Sequence, residues 1–133
     1  MKVLIIDDDD LIVEAASEYL MRNGYEVETA REFTAARSLL LERYFKVVLM
    51  DLRVTGGNAG DGLKMVGWIR DQFPSTKIGV LTESASKLVE QTARGIGVSV
   101  FLNKPANLRS VLTAVQALSA PADVPSAVTR GNE

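Results

Sequence analysis

Four short runs of apolar residues punctuate this chain, at positions 3–6 (VLII), 47–50 (VVLM), 78–81 (IGVL) and 98–102 (VSVFL). Each is too short for a stable helix and nearly free of polar breaks. Such runs are what strands become when a parallel sheet is covered on both faces. Residues 26–30 (EVETA) form a fifth, more polar candidate, as an edge strand would. Between these runs the apolar residues recur at helical spacing. Ile12, Ala15, Ala16, Tyr19 and Leu20 mark a first helix, with Gly24 as its stop. Phe33, Ala36, Leu39 and Leu40 mark a second, and Leu63, Val66, Ile69 and Phe73 a third that ends before Pro74. Leu88, Val89, Thr92 and Ala93 predict a fourth ending near Gly95; Leu108, Val111, Leu112, Val115 and Leu118 predict a fifth. The alternation predicts an α/β fold of (βα)5 type, an open parallel sheet with helices on both sides. It fills a single domain over residues 1–118. From 119 to 133 the composition turns to Ser, Ala, Pro, Gly and Asn, which predicts a disordered tail or a linker stub.

Composition narrows the chemistry. With no cysteine and no histidine among the 133 residues, thiolate sites, cysteine nucleophiles and imidazole catalysis are excluded. Any metal must be held by oxygen, which favours magnesium, calcium or manganese. The net charge is −2 and the basic residues are scattered, so no nucleic-acid-binding face is expected. No apolar run reaches the length of a membrane span, and the apolar start is too short for a signal peptide. A cytoplasmic location is the default expectation.

Ligands of open α/β sheets bind at the carboxyl ends of the strands. Here the first strand runs into Asp7 and Asp8, followed by Asp9 and Asp10; the third runs into Asp51. Thr82 closes the fourth, and Lys104 follows the fifth. Asp9 and Asp10 are expected to cap the first helix and complement its dipole. Three clustered carboxylates repel: two unit charges about 4 Å apart cost roughly 4 kcal/mol at an effective dielectric near 20. A magnesium ion would relieve this while keeping sites for phosphate oxygens. A carboxylate can itself be the nucleophile and become an aspartyl phosphate. Lys104 and the Thr82 hydroxyl would then hold phosphoryl oxygens.

In order and spacing, Asp7-Asp8, Asp51 after Val-Val-Leu-Met, Asp61-Gly62, Thr82 and Phe101-Leu102-Asn103-Lys104-Pro105 resemble the receiver domain of response regulators. The resemblance implies a flavodoxin-like doubly wound sheet of strand order 2-1-3-4-5. It implies phosphorylation of Asp51 by a sensor histidine kinase or histidine phosphotransfer protein. Magnesium, or manganese in its place, would be held by Asp8, Asp51 and the Arg53 backbone carbonyl, with Asp7 assisting through water. Thr82 and Lys104 would contact the phosphoryl group, and Thr82 and Phe101 would be the switch residues. The Lys104-Pro105 bond would be cis. The fourth helix, fifth strand and fifth helix would form the output surface for an unidentified effector or for a phosphorylation-dependent homodimer. Such a chain is not an enzyme beyond its own phosphoryl transfer and autodephosphorylation.

The chain also departs from that pattern. Val54-Thr55 stands where Met-Pro is usual, and the segment from Arg53 to Asp61 is longer, with Gly56, Gly57 and Gly60 predicting mobility. Arg53 and Glu83 place charges beside the two central site residues. A dehalogenase-type phosphatase is disfavoured because Arg53 replaces its second acid. A P-loop is disfavoured because Leu63 and Met65 break its lysine–hydroxyl signature. The alternative from another class is a receiver-like interaction module that works without phosphorylation.

Overall fold

The computed structural model describes residues 1–54, 58–83 and 85–121. Its elements alternate strictly: β1 (Lys2–Ile6), α1 (Asp10–Arg22), β2 (Glu26–Ala30), α2 (Phe33–Glu42), β3 (Val47–Met50), α3 (Ala59–Gln72), β4 (Lys77–Thr82), α4 (Lys87–Ile96), β5 (Val98–Asn103) and α5 (Leu108–Ser119). The five strands form one parallel sheet of order β2-β1-β3-β4-β5. This is the expected fold class and strand order. β1 and β3, at the centre, are apolar because helices cover them on both sides. Val3, Val47 and Leu49 face one core with α1 and α5; Leu4, Ile6, Val48 and Met50 face the other with α2, α3 and α4.

The helix starts are specified locally. Asp9 accepts from the Leu11 and Ile12 amides, Asn58 from Asp61, Ser86 from Val89 and Asn107 from Ser110. Each side chain satisfies amides that the first helical turn leaves unpaired. Asp9 is thus the expected cap, and Asp10 lies in the first turn, paired with Arg31.

Four expectations need correction. The buried stripe of α1 is Val13, Ala16 and Leu20, while Ala15 is exposed. Val13, Ala16 and Leu20 pack in one core with β1 and β3, which sets the buried face. α4 continues past Gly95 to Ile96; the residue with positive φ (139°) that ends it is Gly97. α3 begins at Ala59, so Gly60 and Asp61 lie in a helical turn and not in a loop. Thr55, Gly56 and Gly57, to which the expectation of mobility also applied, lie outside the described residues. α5 runs to Ser119, one residue beyond the expected boundary. Most of the expected tail, 122–133, also lies outside the described residues.

Gly62 fixes α3 against the chain leaving β3. A Cβ there would stand 2.3 Å from the Leu52 carbonyl oxygen and 2.5 Å from its Cα. Gly62 is therefore a packing contact and not part of a phosphate loop. Gly95 also sits in a helix, but a Cβ there meets nothing within 4 Å. Gly62→Ala is expected to lose about 2–3 kcal/mol through overpacking against backbone. Gly95→Ala is expected to gain up to about 1 kcal/mol from helix propensity. Urea unfolding of both variants tests these opposite signs.

Candidate functional site

The carboxyl ends of the strands carry the polar residues, and backbone bonds just past each strand hold them in register. The Asp7 amide donates to the Ala30 carbonyl (3.0 Å), the Asp51 amide to Ile6 (2.9 Å) and the Lys104 amide to Thr82 (2.8 Å). Asp51 is buried. Its Oδ1 accepts from the Thr82 hydroxyl at 2.7 Å and from the Arg53 amide at 3.0 Å. Its Oδ2 accepts from Lys104 Nζ at 2.9 Å. The same ammonium lies 2.9 Å from Asp7 Oδ2, and Asp7 Oδ1 accepts from the Asp9 amide at 3.0 Å. One lysine thus bridges two buried carboxylates.

The electrostatics follow from this asymmetry. Burial pushes the Asp51 carboxyl up, but three donors, from Arg53, Thr82 and Lys104, outweigh it and hold the group below its ordinary value. Burial also pushes Asp7 up, and there it prevails. Asp7 has fewer donors, and the Asp51 charge works against its ionisation. Burial disfavours the charge on Lys104, yet its two carboxylate partners raise it above the ordinary lysine value.

Asp8, Asp9, Asp51, Arg53, Thr82, Glu83 and Lys104 line a cleft of about 390 Å³ above this network. The expected cluster of three carboxylates is therefore divided. Asp7, 2% exposed, is turned beneath the cleft towards Lys104, while Asp8 is exposed and Asp51 forms part of the lining. Among the described residues no three acidic side chains form a closed metal cage. The donor set still fits magnesium, which binds through one or two carboxylates and retains several waters. Asp8, Asp51 and the Arg53 carbonyl are the residues able to hold it, and Asp7 could act only through an intervening water.

Phe101 is buried in the core it shares with Val80 and Ala93. The Lys104-Pro105 bond is cis, as expected. The sequence reading missed one feature. Beside Lys104, residues Leu11, Ile12, Ala15, Pro105, Ala106 and Leu108 border an apolar hollow of about 220 Å³. Its legible signal was Leu11, an apolar residue directly after the acidic run that lies off the helix stripe and is 79% exposed.

A family profile for the response regulator receiver domain matches residues 3–116. The chain belongs to the response regulator receiver domain family. Among curated relatives, it is 26% identical over 132 residues to the photosynthetic apparatus regulatory protein RegA of Rhodobacter capsulatus, covering 96% of this chain and 70% of RegA. It is 33% identical over 107 residues to the response regulator protein PilR of Pseudomonas aeruginosa, covering 80% of this chain and 23% of PilR. The receiver domain thus corresponds to only part of those regulators. Among solved structures, the chemotaxis protein CheY4 of Vibrio cholerae aligns at a TM-score of 0.78 and 30% identity, over 88% of this chain and 97% of that one. The non-phosphorylated HemR receiver domain of Leptospira biflexa aligns at 0.82 and 24% identity, over 94% and 98%, a likeness of fold. Among the described residues no helix of this receiver domain is long and apolar enough to cross a membrane.

The shape-conserving change Thr82→Val removes one donor from Asp51. The stability Asp51 gains from its donors is complete above its unfolded pKa, near 3.9, and is lost as pH falls through the lower folded value. Thr82→Val is therefore expected to cost about 1.5–3 kcal/mol at pH 7. The cost should shrink as Asp51 protonates, an outcome checked by urea unfolding at pH 7 and in acid.

Proposed function

We propose that this receiver domain is a phospho-switch whose acceptor is Asp51. The observation that carries the reading is the environment of that carboxylate: Thr82 and the Arg53 amide on one oxygen, Lys104 on the other, beneath an open cleft. An oxygen of Asp51 attacks the phosphorus of a phosphohistidine on a donor, a sensor histidine kinase or a histidine phosphotransfer protein, as the P–N bond breaks and the histidine imidazole departs. Lys104 offsets charge developing on the transferred group, and the Thr82 hydroxyl donates to one of its oxygens. Both groups already touch Asp51, so little reorganisation precedes the reaction. Asp8, Asp51 and the Arg53 carbonyl would hold magnesium, or manganese in its place, which when bound supplies positive charge against the carboxylates and the phosphoryl group.

The chain acts on itself and not on an external metabolite, so it is a signalling switch and not an enzyme in the usual sense. Transfer of Thr82 from Asp51 to a phosphoryl oxygen biases two packings of Phe101, which is 8% exposed, and re-weights the surface of α4, β5 and α5. That surface is proposed to meet the effector or a second phosphorylated copy, in the cytoplasm. A similar structure, the beryllofluoride-activated NtrC4 receiver domain dimer, aligns at a TM-score of 0.81 and 26% identity over 88% of this chain and 94% of that one. That this similar receiver domain is a dimer in its beryllofluoride-activated form supports the dimer proposal.

Incubation with magnesium and either acetyl phosphate or phosphoramidate is expected to add one phosphoryl group to the wild type. Asp51→Asn should receive none, and Lys104→Ala should react at least tenfold more slowly, as read by intact mass. A folded wild type that accepts phosphate from neither donor overturns the proposal and leaves a phosphorylation-independent interaction module. Magnesium at a hundred times its dissociation constant is expected to stabilise the fold by about 2.7 kcal/mol. Asp8→Ala should abolish that gain in a denaturation series.

A further inference from the structure

Four carboxylates line the cleft, and three have roles already. Asp8 and Asp51 serve the metal and the phosphoryl group, and Asp9 caps α1. Glu83 remains. It is exposed, it follows Thr82 directly, and among the described residues no ion pair engages it. β3 and β4 pair Met50 with Val80, so Arg53 and Glu83 each stand third in line beyond that pair, on neighbouring strand ends. Two cations, Arg53 and Lys104, face the four carboxylates, and Lys104 is already committed to Asp7 and Asp51. The approach to Asp51 is therefore anionic on the β4 side.

We propose that Glu83 is a donor-selectivity residue. It disfavours small, highly anionic acyl phosphates and leaves phosphoramidate-type donors, the class to which a protein phosphohistidine belongs, as the effective substrates. The proposal rests on Asp51 being the phosphoacceptor. The chemistry balances for both donor classes. A bond forms between an Asp51 oxygen and phosphorus as the donor's P–O or P–N bond breaks. Acetate departs in the first case. In the second, the protonated nitrogen departs as ammonia. Acetyl phosphate reaches the transition state as a dianion at neutral pH, whereas phosphoramidate carries less negative charge and places a protonated nitrogen at the side where it enters. The Glu83 carboxylate, which lines the same cleft as Asp51, therefore penalises the first more than the second. A donor mounted on a protein also draws on binding energy from surfaces remote from the cleft, which a small anion lacks.

The test measures phosphorylation rates by intact mass for wild type, Glu83→Gln and Glu83→Lys, with each donor and magnesium at low and high salt. The expected result is an acetyl phosphate rate raised three- to tenfold in Glu83→Gln and further in Glu83→Lys. The phosphoramidate rate should rise less, and added salt should compress the difference. A merely structural role for Glu83 would not follow donor charge or ionic strength. Wild-type and variant rates that match for both donors overturn the selectivity role while leaving Asp51 as the acceptor. Failure of every folded protein to react with either donor removes the acceptor reading and the selectivity role together.

Discussion

Lys104 holds the site together by answering two buried carboxylates with one ammonium. Asp7 and Asp51 follow adjacent central strands and are both largely withdrawn from water. Taking such charges out of water costs several kcal/mol each unless a partner compensates. With its Nζ 2.9 Å from both, Lys104 makes the pair tolerable, and its own charge is secured by them. The compensation is unequal. Asp51 keeps a full set of donors and is held in its charged form, while Asp7 serves chiefly as the far anchor of the lysine. The network thus both positions the Asp51 carboxylate and limits what else the rim can contain.

The strand-end placement of these residues is a consequence of topology. Parallel strands deliver their carboxyl ends to one rim, and backbone bonds past β1, β3 and β5 carry the register one residue further. The side chains at Asp7, Asp51 and Lys104 therefore inherit the order of the sheet. No loop has to be folded around a ligand first to bring them together.

Much of this was legible in the sequence because apolar period and rim position are local properties. The runs at 3–6 and 47–50 could be little other than central strands, and the acids after them had to share an edge. The family resemblance then supplied the strand order and the cis Lys104-Pro105 bond, which no local pattern specifies. What escaped was set by packing. Spacing alone offered Ala15 to the core of α1, but the face that meets the sheet is the one carrying Val13, Ala16 and Leu20. The turn at Gly97 depends on a backbone angle, so Gly95 looked equally suitable. That Asp7 turns under the cleft, away from Asp8, follows from where the Lys104 ammonium comes to rest, a three-dimensional fact with no sequence period.

The amide of Lys104 is bonded to the carbonyl of Thr82, while the side chains of both meet at Asp51. These two positions are therefore mechanically one unit, closed into a ring through backbone on one side and through the carboxylate on the other. Displacing the end of β4 carries the lysine with it. Substitutions at the two positions should then be epistatic, with a double change costing less than its parts, and drift at either residue is constrained by its counterpart across the ring.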